Sequence, residues 1–224
     1  FAAANFSEVA PNATFIEDCS IANGDLNHIT GTVTYDDENN GCDGGDVGIG
    51  SLLVNTTDGT NNFATTTINT GEYNLTVAEN TYTTTVLGLS PYFTLSPAQA
   101  VDTFVGFNQT EIADFCLAPA TTANDLAVTF VPLTAARPGF EARYKLIYEN
   151  VGTTQLSGNV ELDFDGALVT FIEATPTETS ISGNTVSWEY SNLNPFEIRS
   201  IEVVFEVAQP PIVEAGDVLP YIAR

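Results

Sequence analysis

The chain has 224 residues, 43% of them apolar, enough for packed cores and for one or two domains. Five Lys and Arg against 29 Asp and Glu leave a formal charge of −24, a field that opposes nucleic acid and anionic membranes as partners and favours divalent cations, which relieve self-repulsion. No run approaches the roughly 20 apolar residues of a membrane helix, so no membrane insertion is expected, and one His with no Met leaves little for soft-metal chemistry.

Residues 1–26 are too few for a domain. They carry two apolar fragments, "ANF" and "NATFIEDC", and read as the end of an upstream module or an N-terminal extension onto the first sandwich. The start lacks the positive n-region of a signal peptide, so the sequence reads as an interior piece of a longer or processed chain. From residue 27 onward "HITGTVTY", "GEYNLTV" and "TYTTTVLG" alternate with period two between Gly, Asn, Asp and Pro, the pattern of half-buried strands. A small polar run around Pro119, "CLAPATTANDLAV", marks a division.

Beyond it "ARYKLIYE", "NVELDF", "NTVSWEY" and "IEVVFEV" repeat the alternation. In the second of these, Val160, Leu162 and Phe164 share one face, while Glu161, Asp163 and Asp165 share the other and are expected in water. Pro210 and Pro211 fall in a connection, where no ladder donor is needed. "AGDVLPYIAR" begins a further strand, so the second module is expected to continue past the C-terminus, the alternative being that this strand is its edge. Helical periodicity is not sustained over three turns anywhere. The prediction is all-β: two tandem Ig-like or prealbumin-like β-sandwiches, at 27–119 and 120–224.

The stretch "YDDENNGCDGGDVGIG" concentrates acid among glycines. On a calcium-loop template Asp36, Glu38 and Asn40 fall at positions 1, 3 and 5 and Gly41 at the sharp turn. The Cys42 carbonyl would add a backbone oxygen, and Asp43 or Asp46 would close the shell. The template wants a bidentate carboxylate at position 12, where the chain has Val47 with Asp46 one place early. Calcium is the favoured cofactor reading, a plain solvated turn the second and an acid pair for catalysis the third.

"ITGTVTYDDENNGCDGGDVGIGSLLVNTTDG" followed by "INTGEYNLTV" resembles the collagen-adhesin B-type and serine-aspartate-repeat B-type stalk modules. That resemblance implies a calcium site in the loop. Many such modules carry an internal Lys-Asn isopeptide bond, which is impossible here because the first sandwich has no lysine. Over most of its length, through "SPYFTLSP", "DFCLAP", "ARPGFEARYKLIYENVGTTQLSGNVELDF" and "NTVSWEYSNLNPFEIRSIEV", the chain resembles paired modules of secreted surface proteins of Bacteroidota. The resemblance implies export by type IX secretion and an extracellular or cell-surface location. Richness in Thr, Asn and Gly with scarce Lys agrees, and in that compartment a disulfide persists.

Three cysteines leave at least one without a partner in the chain. If the first strand lies parallel to the last, the loop after it meets the last strand's end, and Cys42 pairs with Cys116; Cys19 with Cys116 is the alternative. Asn-x-Ser/Thr at Asn5, Asn12, Asn55, Asn74 and Asn108 reads as a by-product of composition rather than as glycosylation. Trp188, Tyr144 and Tyr148 lie in register with apolar residues and are expected in the core rather than on a sugar platform. His28 has no second histidine to support a transition metal.

With no G-x-S-x-G, H-E-x-x-H, Walker or C-x-x-C pattern, no catalytic residue is assigned and the protein is expected not to be an enzyme. The expected function is a structural stalk, spacer or filament segment of a large secreted bacterial surface protein, an adhesin or appendage. Its expected partners are neighbouring domains of the same chain and copies of itself. The alternative is a module binding a glycan or a host or prey surface, and a hydrolase accessory domain comes third.

Overall fold

The computed structural model describes residues 26–224. Among them the regular elements are all strands. The first ten are β1 (Asn27–Tyr35), β2 (Val47–Gly48), β3 (Leu53–Thr57), β4 (Asn62–Thr66), β5 (Glu72–Val77), β6 (Thr81–Leu87), β7 (Phe93–Ser96), β8 (Ala100–Thr103), β9 (Thr110–Ile112) and β10 (Phe115–Pro119). The other eight are β11 (Leu126–Pro132), β12 (Glu141–Asn150), β13 (Leu156–Phe164), β14 (Val169–Thr175), β15 (Ser180–Ser182), β16 (Thr185–Leu193), β17 (Ile198–Val207) and β18 (Tyr221–Ala223). The fold is all-β and sandwich-like, as the alternation predicts.

In the first module β1 organises a sheet in the order β2-β1-β10-β7, with β5 and β9 also paired to β1. The β5 ladder is antiparallel, from Asn27↔Val77 to Thr32↔Glu72, whereas β9 runs parallel to β1, from His28↔Thr110 to Thr30↔Ile112. Gly31 is required at this crowded point: a Cβ there would sit 2.2 Å from the Ala113 carbonyl oxygen. A second sheet has the order β4-β3-β6-β8. Its inner face carries Val54, Thr56, Tyr82, Thr84 and Val86, all buried. Two of these are hydroxyls with no access to water, and both are satisfied in a short relay: Thr84 Oγ1 donates to Thr56 Oγ1 at 2.9 Å, and Thr56 Oγ1 donates to the Thr83 carbonyl at 3.3 Å.

The second module has sheets in the orders β11-β12-β17-β14 and β15-β16-β13-β18. Long ladders run from Glu141↔Glu206 to Glu149↔Ile198 and from Asn159↔Glu189 to Asp163↔Thr185, and their alternate residues build the core. Leu146, Val160, Leu162, Val186, Ile201 and Phe205 are sealed from solvent. Trp188, Tyr144 and Tyr148 are buried with them, and Trp188 Nε1 donates to the Pro176 carbonyl at 3.1 Å.

The chain divides into two compact units, and the division is less simple than a cut at Pro119. Among the described residues, one unit holds 26–34, Val47–Gly88 and Ser96–Cys116; the other takes Tyr35–Asp46, Leu89–Leu95 and Leu117–Arg224. The second unit claims these pieces through aromatic contacts. Tyr35 meets Phe93 and Phe196 edge-on at 5.8 and 5.4 Å, and its hydroxyl donates to the Thr153 carbonyl at 3.3 Å. Tyr92 donates to Asp125 at 3.1 Å. Such long-range pairings leave no mark on local periodicity.

Candidate functional site

The acidic loop joins β1 to β2. Asp36 is 2% exposed, although the acids after it are open to solvent or nearly so. Its backbone N–H donates to the Leu117 carbonyl at 2.8 Å, which turns the side chain into the loop. There Oδ1 accepts from the Asn40 N–H at 3.0 Å and Oδ2 from the Gly41 N–H at 2.6 Å. The turn needs left-handed backbone at Asn39 (φ 56°) and Gly41 (φ 96°), residue types that tolerate it. Glu38 accepts from Asn40 Nδ2 at 3.1 Å.

A second turn comes directly after. Asp43 Oδ1 accepts from the Gly45 N–H at 2.7 Å, and Asp46 Oδ2 accepts from the Asp43 N–H at 2.6 Å. The structure thus gathers Asp36, Glu38 and Asn40 in one turn and Asp43 with Asp46 in another, each closed on its own amides. Among the described residues, no group of three or more His, Cys, Asp or Glu is placed to hold a metal ion. Cys42 and Cys116 are both disulfide-bonded; Cys19 lies outside the described residues, as do Asn5 and Asn12. Burial, with the charges of Asp37 and Asp36 behind it, pushes the Tyr35 phenol up.

Two electrostatic features were not foreseen from the sequence. On β8, Asp102 points inward with one carboxylate oxygen buried and without a hydrogen-bond partner. Burial and then the Glu111 charge push its carboxyl up. The signal was available: in "AVDTF", Asp102 has the parity of Phe104, which is 1% exposed. In the second module, Glu161 and Asp163 lie on the solvent side of β13 as expected, and there Arg224 bridges them, at 2.9 Å to Glu161 and also onto Asp163. Asp163 is held below the usual carboxylate range by the Thr185 hydroxyl and by Arg224.

A cavity of about 630 Å³ opens in the second module between the end of β11 and β18, walled by Phe130, Leu133, Tyr144, Leu219 and Tyr221. The Phe130, Tyr144 and Tyr221 rings pack on one another with centroids 5.0 to 5.1 Å apart, so they form one wall rather than a cage. Burial, then the neighbouring Tyr144, pushes the Tyr221 phenol up. No helix among the described residues is long and apolar enough to cross a membrane.

No family model matches the chain. A 78-residue stretch is 33% identical to Multicopper oxidase LPR1 homolog 3 of Oryza sativa subsp. japonica, covering 34% of this chain and only 14% of that protein. Among solved structures, the chain is similar to a DUF3823 family protein from Bacteroides ovatus, at 14% identity and TM-score 0.33 over 88% of this chain and 87% of that one. A DUF3823 family protein from Parabacteroides merdae matches at 11% identity and TM-score 0.33, over 83% and 82% of the two chains. A streptococcal ancillary pilin matches at 11% identity and TM-score 0.31, over 89% of this chain and 59% of that one.

Proposed function

We propose that the chain is a non-catalytic structural segment, a stalk, spacer or filament unit, of a secreted bacterial surface protein exported by type IX secretion. One observation supports this most: β1, which leads into the first module, is flanked by β10, which leads out of it, and pairs in parallel with β9. Pulling the module by its two ends loads such a ladder in shear, so its hydrogen bonds yield together rather than one at a time. A Cys42–Cys116 bond would add a covalent stop. It would contribute about 4 kcal/mol in the loop-entropy model and withhold on the order of 250 Å of chain from extension.

Single-molecule stretching tests both statements. Oxidised protein should lengthen by that much less per unfolding event than reduced protein. A first module that opens at the low force of strand-by-strand unzipping would end the stalk reading.

Calcium belongs to the proposal on the strength of the Asp36, Glu38, Asn40 and Gly41 spacing, with the Cys42 carbonyl, Asp43 and Asp46 as the remaining oxygens. The Asp36→Ala variant separates ligand from cap. As an acceptor for two amides, Asp36 should be worth about 1 to 3 kcal/mol in calcium and in chelator alike. As a ligand it should cost more in calcium, and the parent's melting point should fall when chelator is added.

A further inference from the structure

The outer face of the sheet β4-β3-β6-β8 is free of charge. Residues directly opposite across antiparallel ladders share a face, so Leu53, Asn55 and Thr57 of β3 line up with Leu87, Thr85 and Thr83 of β6. Ala64 and Thr66 of β4 extend these rows on one side, Val101 and Thr103 of β8 on the other. The burial alternation places them outward, with Leu53, Leu87 and Val101 41 to 58% exposed. The other sheets show charge on their outer sides: Glu72 on β5, Arg143 and Glu141 on β12, Glu189 on β16 and Glu202 on β17. In a chain of net charge −24, this four-strand surface of hydroxyls, amides and short apolar side chains stands apart. The acid at its rim, Asp58, is turned to the N–H groups of Thr60 and Asn61.

We propose that this face docks a neutral polysaccharide, laid across the strands with its hydroxyls on the Thr and Asn side chains and its apolar ring faces on the Leu53–Leu87 pair. Charge complementarity selects this occupant. The rest of the surface repels anionic polymers and other copies of this acidic chain, while the face imposes no desolvation cost of buried charge on an uncharged one. The dimensions agree: four strands about 4.8 Å apart and four to seven residues long cover on the order of 350 Å², less than half the roughly 800 Å² per partner of a stable protein interface. That area suits repeated weak contacts along a polymer. The inference rests on the surface-module reading and gives it a target.

The experiment is co-sedimentation of the oxidised chain with insoluble cellulose, chitin and starch. At least one should deplete the protein from solution, and the bound fraction should hold when salt rises from about 0.15 to 1 M, since no charge is used. Thr85→Glu and Asn55→Lys, at outward positions, should each weaken binding about tenfold with an unchanged circular dichroism melt; Asn74→Glu on the other sheet should not. Absence of depletion by all three polymers, loss in high salt, or unaltered binding by both face variants would overturn the proposal. Self-association that the same variants abolish would overturn it too, assigning the face to contact between copies. Failure here leaves the stretching result untouched, so the two readings fail separately.

Discussion

The two modules share an architecture and differ in how they treat charge. All five Lys and Arg, from Arg137 to Arg224, belong to the second. There Arg199 meets Glu197 at 2.7 Å, Lys145 meets Glu202 at 3.7 Å, and Arg224 spans Glu161 and Asp163. The first module has acids and one histidine but no permanent cation, so its carboxylates turn to backbone N–H groups, as Asp58 and Asp114 do, or keep an oxygen unanswered, as Asp102 does. The cores differ in the same sense. The second closes on a knot of rings around Phe205; the first buries a pair of threonine hydroxyls. An acidic chain can therefore fold either by importing a few cations or by letting its backbone solvate the acids, and this one does both in succession.

The largest expected effect falls on the ring cluster. Phe205 is sealed from solvent and lies 5.1 to 6.0 Å from Phe164, Phe171, Tyr144 and Tyr221. Phe205→Ala should destabilise the second module by about 3 to 5 kcal/mol through lost burial and the cavity left behind. Hydrogen exchange should then accelerate at the β12 and β17 amides and hold steady at β3 and β6. Equal acceleration in both would mean that the modules unfold as one, and the comparison would lose its meaning.

The smaller core is probed at its hydroxyls, where donor and acceptor roles make the two partners unequal. Thr56→Val takes away the oxygen that accepts from the buried Thr84 hydroxyl and should cost about 1 to 3 kcal/mol. Thr84→Val leaves Thr56 its bond to the Thr83 carbonyl and should cost less. The double variant should recover most of the loss, because two valines of similar shape have nothing left to satisfy. Additive losses in chemical denaturation would show that the pair is not coupled.

Much of the fold was legible in the sequence, and the reasons differ by residue. Period-two alternation gave the strands and the all-β class, because half-buried strands sort residues by parity; Val160, Leu162 and Trp188 went inward as their register demanded. The acidic loop was visible as a cluster, yet its internal bonding was not: whether Asp36 faces an ion or the Gly41 amide depends on the backbone path, which composition does not encode. Tyr35 and Phe93 were assigned to the first module because the chain places them there, and the Phe196 ring that claims them is more than a hundred residues away. The uncharged face was legible in principle. It required knowing which strands are neighbours, since Asn55 and Thr85 become one surface only through their register.

The smallest predicted effect is the most specific to the contrast, because it depends on the first module's lack of cations. Asp102 lies opposite Tyr82, with Glu111 as the charge that raises it alongside burial. Its folded carboxyl therefore titrates above the value it has in the unfolded chain. Below the unfolded value both states hold the proton and the fold has its full stability; as pH rises through the folded value, ionisation is opposed only in the fold and stability falls. The side chain is partly open to water, so the loss is modest, less than about 1 kcal/mol after screening. Asp102→Asn should raise the first module's melting point near neutral pH and flatten its decline between mildly acid and neutral pH. A decline of the same slope in the variant would assign it to the many other acids of a chain at −24. The same scan on Lys145→Ala should show a change too small to resolve, because a 3.7 Å pair between side chains 33 and 52% exposed is largely screened by water.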